Sequence, residues 1–184
     1  MPTVFTIGHS NQPAAEFFAL LTKHNIECLV DVRSNPYSRF RHFNREPLDD
    51  RLARLGIRYL YLGDSLGGHP NPDEFYVGGR VAYERVAALP EFRRGIGQVV
   101  DASEQQRLAL MCTEEDPALC HRHPLLARML VERDLEVLHI RRDGTVQDAT
   151  QMVERVDLRM PLFESDGEDL TWVSPKRIRR GRRS

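Results

Sequence analysis

Arg107-Leu-Ala-Leu-Met-Cys-Thr-Glu-Glu-Asp-Pro117 decides how this chain is to be read. Leu108 to Cys112 are apolar without interruption. That suits a strand covered on both faces, because a strand with one wet side alternates polar and apolar residues. Four polar residues follow at once, and Asp116-Pro117 supplies a helix cap and a first helical residue. Strand, polar exit and helix start in direct succession are the parts of a βαβ unit.

Working outward, the same grammar recurs. Val4-Phe-Thr-Ile7 reads as a first strand ending at Gly8, and Glu27-Cys-Leu-Val-Asp-Val32 as a second, nearly continuous apolar run. Ile57-Arg-Tyr-Leu-Tyr-Leu62 makes a third strand, and Glu136-Val-Leu-His-Ile140 a fifth. Between them lie helical patterns from Pro13 through Ile26, Leu48 to Leu55, Val81 to Ala88, Glu91 to Glu104 and Pro117 to about Arg133. Gly63 to Gly79 holds five glycines and two prolines and reads as a long irregular loop. The expected fold is three-layer α/β: a mainly parallel sheet of about five strands with helices on both faces. Residues 1–149 form that domain, and 150–184 form a C-terminal extension ending in a basic tail.

Composition bounds the function. Hydrophobic residues at 41% and charged residues at 29% are those of an ordinary globular chain. No apolar run reaches the roughly 18 residues of a membrane span, so no membrane partner is expected. No signal peptide is legible, and three unevenly spaced cysteines make no disulfide framework, so a cytoplasmic location is expected. The net charge of −1 conceals a tail of Lys176, Arg177, Arg179, Arg180, Arg182 and Arg183 without an acid, which suits either solvent or nucleic-acid phosphate.

In open α/β sheets, ligands bind at the carboxyl ends of strands. Three such exits are densely polar here: Gly8-His9-Ser10-Asn11, Asp31-Val-Arg33-Ser-Asn-Pro36 and Cys112-Thr-Glu114. Thr6-Ile-Gly-His-Ser10, Leu29-Val-Asp-Val-Arg-Ser-Asn-Pro36 with Ser38-Arg-Phe40, Leu62-Gly63 with Leu66-Gly-Gly68, and Cys112-Thr-Glu114 with Asp116-Pro117 and Cys120-His-Arg122 occur in that order. In these motifs, continued by Val137-Leu-His-Ile140 and Asp143-Gly144, the chain resembles the family called domain of unknown function 488. The resemblance covers roughly residues 3 to 145. It implies an α/β fold with a pocket built from these motifs, and no settled reaction. After Gly144 the chain reads Thr-Val-Gln-Asp-Ala149, where that family leads one to expect a histidine.

Cys120 is the leading nucleophile candidate. If a helix starts at Pro117, Cys120 falls within about its first turn, where the helix dipole and nearby Arg122 favour a thiolate. His121 then serves as proton partner, and Glu114 as a general acid or base or as the partner of an arginine. Cys112 ends an apolar strand and either takes part or packs; Cys28, inside a strand, reads as structural. His9, Ser10, Asp31, Arg33, Asn35, Arg39, Arg122, Gly67 and Gly68 are the expected substrate-binding residues, the arginines and glycine-rich turns suiting an anion. The leading expectation is a cysteine-dependent hydrolase or transferase acting on a small anionic, nucleotide- or nucleic-acid-like substrate.

Four alternatives stand beside it. A phosphatase or sulfurtransferase is opposed by Glu114-Glu115-Asp116, which would repel an anion where those enzymes cradle one. A zinc set of Cys112, Cys120 and His121, with His9 as a further candidate, departs from ribbon spacing, since seven residues separate the cysteines, and the sequence assigns no metal ligand. A redox pair of Cys112 and Cys120 requires the helix start to turn back on the strand end. A non-catalytic nucleic-acid-binding module would use the Arg33–Arg45 loop and the basic tail. Neither a cofactor nor an oligomeric state is written in the sequence.

Overall fold

The computed structural model describes residues 1–71, 73–152 and 172–177. Five strands run parallel, and a sixth closes one edge antiparallel, in the order β3-β2-β6-β1-β7-β8. They are β1 (Thr3–Gly8), β2 (Cys28–Asp31), β3 (Arg58–Tyr61), β6 (Leu108–Cys112), β7 (Glu136–Ile140) and β8 (Val146–Asp148). The sequence reading finds the five parallel strands. It misses β8, whose three residues are half-buried or exposed and carry one apolar side chain, too little for a period-two signal.

The sheet separates two apolar layers. In β6, Leu108, Leu110 and Cys112 face one layer, while Ala109 and Met111 face the other. That alternation is the ordinary pleat of a strand buried on both sides. On the second layer lie α1 (Ala14–Lys23) and α2 (Arg45–Arg54), through Phe17, Phe18, Leu21, Leu48 and Leu52. On the first lie α3 (Gly63–Leu66), α4 (Tyr83–Ala87), α5 (Pro90–Gln105) and α6 (Arg128–Val131). Helix α5 shows how the sequence makes such a layer. Pro90 begins it, where a missing N–H costs nothing, and Phe92, Ile96 and Val99 form its buried stripe.

The loop over residues 63–79 is more ordered than its glycines and prolines suggest. It contains α3, a 3₁₀ turn at Asp73–Phe75 and, with Arg80 and Val81, the hairpin β4 (Tyr76–Val77) and β5 (Arg80–Val81). Gly78 and Gly79 make the hairpin turn, both at positive φ. Of the expected C-terminal extension, residues 153–171 and 178–184 lie outside the described residues. Residues 172–177 pack on the sheet domain: Trp172 is buried, and Val173 bridges antiparallel to Ala82. Among the described residues, no helix is long and apolar enough to cross a membrane.

Candidate functional site

β6 delivers Cys112 to the carboxyl edge of the sheet on the α5 side. Beyond it Asp116 caps as the sequence suggests, its Oδ1 accepting from Ala118 N at 3.0 Å. The helix that should follow does not run on. Pro117–Leu119 make one 3₁₀ turn, Cys120 is extended at φ −133° and ψ 156°, and a wide π-type helix starts at Arg122 and leads into α6. Pro124 gives the reason. In a helix continuous from Pro117 its ring would strike the carbonyl of residue 120. Restarting the helix leaves Pro124 near its beginning, and the His121 carbonyl accepts from both Leu125 N (3.1 Å) and Leu126 N (3.0 Å).

The break turns Cys120 back on the strand end. His121 Nδ1 lies 3.6 Å from Cys120 Sγ and 3.8 Å from Cys112 Sγ. The three atoms all fall within 4.8 Å of one another, and both cysteines are reduced. The two sulfurs titrate as a pair. Burial works against ionising Cys120, but hydrogen bonding from Cys112, the neighbouring charges of His121 and Arg122, and the His121 contact together push its thiol well down. Cys112 is pushed well up by its hydrogen bond to Cys120 and by burial. One negative charge is therefore favoured on the pair, and it belongs on Cys120. Cys28 stands apart, opposite Leu108 at the other end of β6, with its thiol raised by burial.

Arg122 is fully buried and does not line the pocket. Its guanidinium donates to Thr6 Oγ1 (3.1 Å) and to the Glu114 and Glu115 carbonyls, clamping the exit loop of β6 onto β1. The same loop runs so close to Gly8 that a Cβ there would stand 1.7 Å from the Glu114 carbonyl oxygen.

Arg33 does reach the pocket wall, and its hydrogen bonds leave little for a ligand. Nε and its NH2 group donate to the two Asp31 oxygens at 2.8 and 2.6 Å. Its NH1 group donates to the Phe43 carbonyl (2.9 Å) and faces His9 Nε2 at 3.3 Å. Of the five N–H groups of a guanidinium, one on NH2 remains unassigned. Asp31 and His9 are fully buried behind Arg33 and position it; neither lines the pocket. His9 donates from Nδ1 to the Ser10 carbonyl and stacks on Phe43, and burial lowers its pKa to about 4. The Ser10 backbone N–H donates to the Thr113 carbonyl at 2.7 Å, and Ser10 does not line the pocket. Asn35 lies at the pocket mouth, whereas Arg39 is exposed over Phe40 and outside the pocket.

The remaining walls come from three segments. Ser34 Oγ accepts from His69 N at 2.9 Å, holding the loop after α3 against the exit of β2. Gly67 permits that approach, because a Cβ there would stand 2.3 Å from Ser34 Oγ. Gly68 lies against the His121 ring. His69 enters the pocket with its pKa lowered by burial and by His121, which outweigh Cys120.

The last wall is residues 174–177. Ser174 exchanges hydrogen bonds with Val81 (2.9 Å each), and Arg80 NH1 donates to the Ser174 and Pro175 carbonyls. Trp172 anchors the strap, donating from Nε1 to the Pro124 carbonyl at 2.7 Å. Lys176 Nζ then pairs with Glu114 Oε1 at 3.1 Å, so Glu114 faces a lysine from the tail rather than an arginine from the β2 exit. Tyr83, Ser174 and Lys176 are pocket residues that sequence reasoning misses. The chain's single tryptophan, set in a polar tail, is the signal that could have marked the strap as docked.

The hollow has a volume of about 580 Å³. A larger one, about 920 Å³, lies by β8 and is bordered by the Arg141–Glu115 pair, without either cysteine. Chemistry singles out the smaller hollow, where two thiols, two imidazoles and three cationic side chains meet.

No curated protein and no solved structure matches the chain. The family model described as domain of unknown function DUF488 matches residues 13–130, from the start of the first crossover to the last residues of α6. That span holds both cysteines, His121, Arg33 and the Gly67-Gly68 turn. The chain therefore belongs to the family described as domain of unknown function DUF488.

Proposed function

We propose that this protein is a cytoplasmic cysteine-dependent hydrolase or transferase, with Cys120 as the nucleophile and an anionic, nucleotide- or nucleic-acid-like substrate. The observation that carries the reading is Cys120 Sγ at the pocket wall, 3.6 Å from His121 Nδ1 and within 4.8 Å of Cys112 Sγ. The Cys112 thiol and the His121 ring favour the thiolate. Attack by sulfur on an electrophilic carbon or phosphorus forms the S–C or S–P bond as the leaving group departs. His121 hands a proton to the leaving group, and water or an acceptor then releases the covalent intermediate. Anion recognition rests on Arg177, Lys176 and the one open N–H of Arg33. Arg177 has no ion-pair partner among the described residues, while Lys176 shares its charge with Glu114.

The test uses metal-free, reduced protein. Iodoacetamide should alkylate Cys120 at least ~10-fold faster than Cys28, given its thiolate character. A nucleoside 5′-monophosphate should slow that reaction and raise Tm. Equal alkylation rates, together with no protection by any phosphate ester, would overturn the proposal. Exposed Tyr37 and Arg39, on the loop whose Ser34 and Asn35 line the pocket, favour a second reading, nucleic-acid binding without catalysis. Salt-sensitive oligonucleotide binding that survives Cys120→Ser, with no turnover by the wild type, would support it.

A further inference from the structure

The Cys112–Cys120–His121 cluster has the dimensions of a metal site. Tetrahedral zinc binds sulfur at about 2.3 Å and imidazole nitrogen at about 2.0–2.1 Å, which sets sulfur–nitrogen edges near 3.6 Å. The two such distances here are 3.6 and 3.8 Å, and all three donor atoms fit within 4.8 Å. No side chain must swing in from solvent, since all three residues are already buried and face one another.

We infer that Cys112 Sγ, Cys120 Sγ and His121 Nδ1 form a binding site for one zinc ion, with the fourth coordination position open to the pocket. Cysteine sulfur with imidazole nitrogen is a donor set for a borderline-soft cation, and selects zinc over magnesium or calcium. Three protein ligands and one open position form the arrangement of an accessible zinc site rather than a closed structural one. Other geometry agrees. His121 Nδ1 is the ring atom that meets both sulfurs. Gly68 keeps the space beside Nδ1 clear of a side chain, a Cβ there standing 2.7 Å from it.

The site uses the side chains of the thiol-enzyme reading but a different chemistry, and it regulates that reading. Both sulfurs bind the ion as thiolates, so any thiol proton leaves to solvent as the metal enters. A bound ion occupies the Cys120 lone pair needed for attack. Zinc is thus a reversible stop on the thiolate, lifted by a chelator.

The probe is Co²⁺ alone, added to chelator-treated, reduced, full-length protein, followed by displacement with Zn²⁺. The expected result is one ion per chain, a near-ultraviolet sulfur-to-cobalt charge-transfer band, the intense visible bands of tetrahedral cobalt, and their loss as zinc enters. Cys112→Ser and His121→Ala should each weaken zinc binding by more than the roughly 10–100-fold that loss of an outer partner costs. Cys28→Ala should leave it unchanged. Fluorescence of Trp172 checks that each variant is folded, and His121→Ala carries the test if Cys112→Ser is not. Absence of the sulfur band in the wild type, or an unchanged metal affinity in the folded Cys112→Ser or His121→Ala protein, overturns the site. Zinc loading should also suppress iodoacetamide labelling of Cys120; unchanged labelling overturns the regulatory role. Cobalt binding without selective alkylation of the metal-free protein would sink the thiol enzyme and leave the metal site standing.

Discussion

Gly68 lies flat against His121: a Cβ at this position would stand 2.7 Å from Nδ1 and 2.8 Å from Cγ. The loop after α3 thereby forms the back wall for the imidazole that touches both sulfurs. Gly68→Ala must displace the ring or the loop, and a cost of about 1–3 kcal/mol is expected. Gly97, inside α5 with nothing within 4 Å of an added Cβ, is the control. There alanine should stabilise by about 0.5–1 kcal/mol through helix propensity. Urea unfolding of the two variants measures both, and equal effects would sink the argument.

Arg33 and Asp31 behave as one unit. Both are buried, and two side-chain hydrogen bonds join them. Arg33→Ala leaves a buried carboxylate with only Tyr59 and the Arg33 backbone N–H donating to it, and should cost about 3–5 kcal/mol. Asp31→Asn with Arg33→Met removes both charges and should recover a large part of that loss. Chemical denaturation of single and double variants decides the matter; additive losses would show that the pair is not coupled.

Stability should fall in acid partly through His9. Burial is the largest cause of its low pKa, with Arg33 adding to it against the Ser10 carbonyl. Its pKa is about 4 in the fold, against 6.5 for the ordinary side chain. Below pH 6.5 the unfolded chain takes up a proton that the fold refuses, so the unfolded state gains. The stabilisation present above 6.5 is lost as pH falls toward 4, by about 3 kcal/mol in all. His9→Gln removes this titration. The stability difference between wild type and variant should therefore change by that amount between pH 7.5 and pH 4, as measured by urea unfolding at each pH.

The parallel sheet was legible in the sequence because its strands are long apolar runs with polar exits. Leu108–Cys112 is the plainest, all five residues being buried. Cys120 was legible as a candidate, but its placement was not. Local cues at Asp116 and Pro117 announce a helix start, and the effect of Pro124 on that helix requires the exclusion to be followed seven residues on. Arg33 and Arg122 look like ligand-binding charges in a linear chain. Only the packed structure shows that neighbouring carboxylates, carbonyls and hydroxyls have taken most of their donors. The zinc-like dimensions of the cluster were hidden for a related reason. Ribbon spacing assumes ligands on one tight turn, whereas here a strand end and a broken helix start bring them together.

Trp172 holds the strap through the Pro124 carbonyl, an edge contact to Tyr83 and Arg128 over its ring at 4.3 Å. Trp172→Ala should cost about 3–5 kcal/mol, and proteolysis should cut near residue 174 faster than in the wild type. Trp172→Phe keeps most of the apolar area but loses the hydrogen bond, for a loss nearer 1–3 kcal/mol. Protection equal to wild type in the alanine variant would show that the strap is held elsewhere.

The Lys176–Glu114 pair borders the pocket, with both side chains nearly half exposed at 49% and 46%. A double-mutant cycle should give a coupling below about 1 kcal/mol, falling further in high salt. Glu114→Gln frees Lys176 for an anion, so inorganic phosphate should protect Cys120 from iodoacetamide more strongly in this variant. Weaker protection would mean that Glu114 itself contacts the anion.

The position of β6 between β1 and β2 has a consequence for synthesis. The first two strands to leave a ribosome are not neighbours in the finished sheet; each hydrogen-bonds across a gap that only residues 108–112 fill. Until those residues emerge, β1 has no partner on either side, because β7 comes later still. More than half of the chain must therefore wait, with apolar strand edges uncovered, for one short segment to arrive. That segment ends at Cys112, so completing the sheet and delivering the first sulfur to the pocket are the same event.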